Sequence, residues 1–177
     1  MMQIKDKHFR TLINQVTLES RICSLGYELT KVYQDKNPLF IAILNGSFMF
    51  AAELMKSVDI LAEITFLRVS SYQATESTGK ITEILGLTQS IEGRHVVILE
   101  DIIDTGITMH QIKEQLLAQN PASLAIATML FKPAALQRPL TVEYIGFEIA
   151  PLFVIGYGLD YDGYGRNLSE ILVLAEK

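Results

Sequence analysis

Residues 96–108 read VVILEDIIDTGIT: an apolar run, two adjacent carboxylates at Glu100 and Asp101, a third at Asp104, and then Thr105-Gly106-Ile107-Thr108. The β-branched segment beginning at His95 (HVVILE) is the most strand-like in the chain. After it, the spacing of Met109, Ile112, Leu116 and Leu117 predicts an amphipathic helix with those residues inward. The stretch therefore reads as buried strand, turn and helix start. Three acids crowded at the end of a buried strand are costly unless they have a partner. Singly, Glu100 and Asp101 would pass for a solvated strand end and Asp104 for a helix N-cap. Together with a Thr-Gly-x-Thr turn they point elsewhere. Backbone N–H groups at the positive end of a helix dipole form an anion site, to which Thr105 and Thr108 can add hydroxyl donors. A phosphate is thus expected on residues 104–108, with carboxylates beside it. Carboxylates do not bind phosphate; they accept from hydroxyls or hold Mg²⁺. Phosphate, diol and metal together describe a ribose phosphate.

Working outward, Leu18, Ile22, Leu25, Leu29 and Val32 recur at helical spacing and predict a helix over about residues 17–35, ended by Asn37-Pro38. LFIAIL at 39–44 reads as a buried strand, Asn45-Gly46-Ser47 as a turn, and 48–58 as a helix capped by Ser47. AEITFLRV at 62–69 alternates as a half-buried strand does, whereas SSYQATESTGK, residues 70–80, lacks apolar periodicity and is expected to be a mobile loop. ITEILGL is expected to return as a strand, and Glu92-Gly93 to turn. Beyond the acidic segment, Asn120-Pro121 closes the helix, and SLAIATMLF, VEYIGFE and LFVIGYG are three further strand candidates. Strands alternating with helices predict an α/β fold: a central, mostly parallel sheet flanked by helices. Ligands of such sheets gather at the carboxyl ends of the strands.

With 177 residues and 49% hydrophobic content, residues 1–177 are expected to form a single domain. A net charge of −5 lacks the basic excess that drives nucleic-acid binding. Cys23 has no intrachain partner, MMQIKDKHFR is charged where a secretion signal would be apolar, and the run from Leu39 to Met55 is broken by Asn45-Gly46-Ser47. A cytoplasmic protein without membrane or nucleic-acid partners is expected. Other phosphate motifs fit worse. There is no GxxxxGK[ST], Gly156 and Gly158 lack the third glycine of a dinucleotide fingerprint, and a receiver fold would carry its acids earlier.

EDIIDTGIT resembles the motif by which type I phosphoribosyltransferases bind phosphoribosyl pyrophosphate (PRPP). The resemblance to the hypoxanthine-guanine branch extends from about Ile41 to Arg166 through LNGSFMFAAEL, SSYQATESTG, the EDIIDTG segment, and FKP followed by FVIGYGLDYDGYGR. It implies a type I phosphoribosyltransferase-like sheet with a small hood over the base site, and transfer of the 5-phosphoribosyl group from PRPP to N9 of hypoxanthine or guanine. Glu100 and Asp101 would hold the ribose hydroxyls and a Mg²⁺, and Asp104 would be the base near purine N7. Thr105, Gly106 and Thr108 would grip the 5′-phosphate. Lys132 would reach O6, Phe153 would stack on the purine, and the Val154 carbonyl would face position 2. Asp160 and Arg166 would lie at a second Mg²⁺ and the pyrophosphate, with Ser71 and Tyr72 in the closing loop. Where many relatives have Lys-Gly, this chain has Asn45-Gly46. Gly46 keeps the backbone freedom that pyrophosphate needs, while the lysine's side-chain contacts are lost. The family usually forms homodimers or homotetramers.

Without the resemblance, Lys132 before Pro133 would read as a solvated strand end, Phe153 as core, and Asp160 with Arg166 as a surface pair. His8, His95 and His110 are scattered and form no metal or triad pattern. Two alternatives share the fold: a nucleotide-sensing RNA-binding regulator, disfavoured by the acidic charge, and a transferase for another nucleobase, opposed only by the base-recognition residues.

Overall fold

The computed structural model describes residues 1–70 and 82–175, without the side chains of Ser70 and residues 82–85. The loop expected over 70–80, with Ser71 and Tyr72, therefore lies outside the described residues except for Ser70 at the end of a strand.

The central sheet comprises Leu39–Leu44 (β3), Glu63–Ser70 (β4), Thr82–Leu85 (β5), His95–Ile103 (β6), Ser123–Phe131 (β7) and Tyr144–Glu148 (β8). Their spatial order is β5-β4-β3-β6-β7-β8. All neighbours pair in parallel except β5, which returns antiparallel to β4. Helices Gln15–Tyr33 (α1) and Phe48–Ser57 (α2) cover one face, packing on Phe40, Ala42, Val97, Leu99, Ala127 and Met129. Helix Ile107–Leu117 (α3) covers the other, over Leu39, Ile41, Val96, Ile98 and Ile126. With both faces covered, β3, β6 and β7 are apolar at nearly every position rather than at alternate ones.

A second, four-stranded antiparallel sheet was not foreseen as such. It joins Met2–Ile4 (β1), Lys7–Ile13 (β2), Ile171–Leu174 (β10) and Val154–Ile155 (β9) in the order β1-β2-β10-β9. This is the small hood. LFVIGYG, expected among the strands of the main sheet, contributes only Val154–Ile155, and to this hood.

Several local expectations change. Helix α1 begins at Gln15 because Asn14 caps it, its Oδ1 accepting from the Thr17 N–H at 2.9 Å. Tyr33 rather than Val32 completes its buried face, and Leu117 at the end of α3 is exposed. Ser47 occupies the N-cap position of α2 but does not cap it. Its backbone is already helical, and its hydroxyl donates to the Ile43 carbonyl at 2.6 Å, tying the turn to β3.

Candidate active site

From β3 the chain passes through α2 to β4 on one side; from β6 it passes through α3 to β7 on the other. The carboxyl ends of the adjacent strands β3 and β6 thus flank a topological switch point, where open α/β sheets form their ligand crevice. Asn45-Gly46 leaves one strand there and the acidic segment the other. Strand β6 runs on to Ile103, so Glu100 and Asp101 lie within it rather than beyond it.

Beyond Ile103, Asp104 and Thr105 lead to Gly106, which occupies the N-cap position of α3 with φ +75° and makes no side-chain cap bond. L-residues rarely adopt that conformation, and a Cβ on Gly106 would also stand 2.7 Å from Leu136 Cδ2. With no side chain capping them, the first N–H groups of α3 are left for an external acceptor. They face a cavity of about 190 Å³ lined by Glu100, Asp104, Thr105, Gly106 and Thr108 over Ile103 and Met109. The residues read from the sequence as an anion site line one cavity.

Asp104 and Lys132, read separately in the sequence, are a pair. Lys132 Nζ donates to Asp104 Oδ2 at 2.6 Å, with the lysine side chain only 8% exposed and the aspartate 50%. The cause is register: Ile103 of β6 lies opposite Phe131 of β7, so the next residue on each strand emerges side by side. The Lys132 N–H donates to the Ile103 carbonyl at 3.0 Å and fixes that step.

Asp101 faces the turn after β3. A Cβ on Gly46 would overlap the Asp101 carboxylate, and the carbonyl of Gly46 in turn touches Gly158. Gly158 is bound twice to Arg166: its carbonyl accepts from Arg166 Nη1 at 2.6 Å, and its N–H donates to the Arg166 carbonyl at 2.9 Å. Arg166 also pairs with Asp160 at 2.6 Å, and the second Asp160 oxygen accepts from the Gly163 N–H at 2.7 Å. Both oxygens of Asp160 are therefore engaged within its own loop. Burial pushes the Glu100 carboxyl well above the usual range, and the neighbouring Asp101 adds to the rise. Burial raises Asp101 too, opposed by its hydrogen bonds and by Arg166.

Among the described residues, no cluster of three or more His, Cys, Asp or Glu is arranged to hold a metal by itself. The donor set fits Mg²⁺ all the same. That ion takes one or two carboxylates and completes its shell with water and substrate phosphates, and two adjacent carboxyls that burial pushes upward suit a divalent cation. Because Gly46 rests on Asp101, Gly46→Ala must displace one of them. A misplacement near 1 Å costs on the order of 10²-fold in rate, so kcat/KM for PRPP is expected to fall by about that factor while the melting temperature moves little. Wild-type kinetics in Gly46→Ala would show that this contact does not position Asp101.

In the hood, Phe153 is 44% exposed, held at its back by Phe9 and Tyr161 with ring centroids 6.3 and 5.9 Å away. Part of the ring is thus exposed, as stacking on a planar ligand requires. Val154 is buried beside it in β9.

A family model described as a phosphoribosyl transferase domain matches residues 14–162. The chain belongs to that family. This phosphoribosyltransferase is 41% identical over 168 residues to the hypoxanthine-guanine-xanthine phosphoribosyltransferase of Tritrichomonas foetus, covering 94% of this chain and 92% of that one. It is 40% identical over 166 residues to the hypoxanthine-guanine phosphoribosyltransferase of Bacillus subtilis, covering 93% and 92%. The crystal structure of a hypoxanthine phosphoribosyltransferase from Staphylococcus aureus superposes with a TM-score of 0.90 at 41% identity, covering 94% of this chain and 91% of that one. The fold is that of a type I phosphoribosyltransferase.

Sequence reasoning missed Gly158 and the aromatic support from Phe9 and Tyr161. Neither glycine of GYGLDY carries a signal that it will meet another loop. Phe9 lies far from Phe153 and Tyr161 along the chain and meets them only through the hood. The Asp104–Lys132 pair had a readable signal: each follows a strand of the same parallel pair by one residue.

Proposed function

We propose that the chain is a purine salvage enzyme that transfers the 5-phosphoribosyl group of PRPP to N9 of hypoxanthine or guanine, releasing pyrophosphate and giving IMP or GMP. The observation that carries this reading is the Asp104–Lys132 pair at the rim of the cavity over the α3 N-terminus. It sets a proton acceptor and a fixed cation beside a phosphate site, and family membership and relatives named for this activity support it.

The protein supplies no nucleophile, since purine N9 attacks C1′ of the ribose as the bond to pyrophosphate breaks. Its contribution is positioning and charge stabilisation. The amides and hydroxyls of Thr105, Gly106 and Thr108 bind the 5′-phosphate, while Glu100 and Asp101 accept from the ribose hydroxyls and offset the positive charge that grows on the ring. Asp104 takes the proton the purine loses. Lys132 donates to O6, Phe153 stacks on the base, and the Val154 carbonyl faces position 2. Gly46, beside Asn45, lets the backbone approach pyrophosphate, whose charge Arg166 helps to hold. Mg²⁺ bound through Glu100 and Asp101, with a second ion at Asp160, would neutralise the polyanionic substrate and leaving group. Ser71 and Tyr72 are assigned to the closing loop by resemblance alone.

In this reading the enzyme acts in the cytoplasm, which suits its unpaired Cys23, and it assembles as a homodimer or homotetramer. A turnover panel of free nucleobases with PRPP and Mg²⁺ tests the assignment, with GMP and IMP the expected products; turnover of none of the 6-oxopurines would refute it. Turnover is further expected to vanish after exhaustive EDTA treatment and to return on adding Mg²⁺, because substrate and acidic floor otherwise repel each other. Undiminished activity in EDTA would remove the metal from the mechanism.

A further inference from the structure

Residues 133–142, the connection from Lys132 toward β8, lie against the turn assigned to the phosphate. The Gln137 N–H donates to the Thr105 carbonyl at 2.9 Å. The space a Cβ on Gly106 would enter is closed by Leu136 Cδ2 at 2.7 Å, with Leu140 Cδ2 at 3.7 Å and the Arg138 carbonyl at 3.8 Å behind it. Farther on, Lys113 of α3 donates to the Thr141 carbonyl at 3.3 Å and pairs with Glu143 at 3.6 Å. Leu136 and Leu140 also pack on the apolar cluster that contains Met109 and Ile112 of α3. The connection is thus tied to the turn at one end and to the helix at the other.

Such a turn has reason to be held. Gly106 is at φ +75°, no side chain caps α3, and an amide cradle stabilises an anion best when its N–H groups already converge before the anion arrives. Glycine is conformationally free, so the convergence must be imposed from outside. Leu136 and the Gln137 N–H are the groups in contact with the turn on that side. The Gln137 side chain is exposed, leaving only its backbone to act.

We propose that Leu136 and the Gln137 N–H are positioning residues for the nucleotide 5′-phosphate. They hold Thr105-Gly106 in the conformation that presents the α3 amides, Leu136 acting through Gly106 and Gln137 through Thr105. The proposal rests on the reading that residues 104–108 bind that phosphate. Neither group touches the ligand.

GMP and guanosine differ only in the 5′-phosphate, so the ratio of their dissociation constants isolates the phosphate site. Calorimetric titration would compare wild type with Leu136→Ala, Leu136→Met, Gln137→Pro and Gln137→Ala. Gln137→Pro removes the N–H, and Leu136, at φ −59° and ψ 129°, already has the extended backbone that a following proline requires. Leu136→Ala and Gln137→Pro are expected to weaken GMP by about tenfold, the scale of one lost charged hydrogen bond, with guanosine unchanged. Leu136→Met, which refills the volume, and Gln137→Ala, which keeps the N–H, are expected to bind GMP as wild type does. Should Leu136→Ala not fold, the exposed Gln137→Pro carries the test alone. A wild-type GMP-to-guanosine ratio in Leu136→Ala and Gln137→Pro, or equal loss of both ligands, would overturn the proposal. Wild-type protein that binds the two ligands equally would instead sink the phosphate assignment itself, and the proposal with it.

Discussion

Asp104→Asn is expected to lower kcat by about 10²–10⁴-fold, the usual cost of removing a general base, while KM for PRPP changes little. The substitution is nearly isosteric, and the asparagine Oδ1 can still accept from Lys132 Nζ, which lies 2.6 Å from the carboxylate now. What disappears is the negative charge and with it the capacity to take a proton from the purine. Because Lys132 is buried and Asp104 half-exposed, the variant also leaves a buried ammonium without its counter-charge. The melting temperature should therefore fall somewhat, though the retained hydrogen bond limits the loss. Steady-state kinetics with guanine, beside a thermal melt, separates the two effects. A wild-type kcat in Asp104→Asn would mean that another group accepts the proton. A proportionate loss of kcat and folded protein would reduce Asp104 to a structural role.

The main sheet was legible because its strands are buried on both faces. LFIAIL, HVVILE and SLAIATMLF are continuous apolar runs, and β3 matches its expected bounds, residue for residue. The hood was not legible, for a physical reason. Its strands come from both ends of the chain and from 154–155, and the last of these is two residues long, too short to show any period. Antiparallel pairing of β2 with β10 joins residues more than 150 positions apart, and local patterning carries no information about such closure. The Ser47 error is of a different kind. A serine between a strand and a helix is the usual N-cap signal, but its hydroxyl found the nearer Ile43 carbonyl of the preceding strand instead.

The candidate site divides in the same way. Segments contiguous in sequence, from Glu100 to Thr108, were legible as a unit because one strand–turn–helix junction carries them all. Contacts between junctions were not: Gly46 against Asp101, Gly158 against Gly46, and Leu136 over Gly106 are close approaches that depend on how three loops meet. The sequence marks Gly46 for its backbone freedom and Gly106 for its place in the Thr-Gly-x-Thr turn, but nothing there shows that Asp101, Gly158 or Leu136 will meet them. The structure shows why a larger residue at those glycines would not fit. Interlocking of this kind places Asp101, Gly46, Gly158 and Arg166 in one mechanical unit.

Lys132 is expected to decide which base is used. An ammonium has three donors and no acceptor, so it bonds the O6 carbonyl of hypoxanthine or guanine and meets only an amino group in adenine. Lys132 is buried and already gives one donor to Asp104, which aims the remainder and prevents the side chain from withdrawing into solvent when the wrong base enters. A site built to hydrogen-bond one substrate group rejects an analogue without it by roughly 10⁴–10⁵-fold, and adenine should lie that far behind guanine in kcat/KM. At position 2 a Val154 carbonyl would accept from the guanine amino group, be indifferent to the hydrogen of hypoxanthine, and oppose the second oxygen of xanthine. The expected order is guanine and hypoxanthine, then xanthine, then adenine. Lys132→Gln is the informative variant, since its amide can donate to Asp104 while turning either an oxygen or a nitrogen toward the base. Guanine use should weaken and the gap to adenine shrink, read as kcat/KM for each base at saturating PRPP. Efficient adenine turnover by the unmodified enzyme, or an unaltered base profile in Lys132→Gln, would place base selection on other residues.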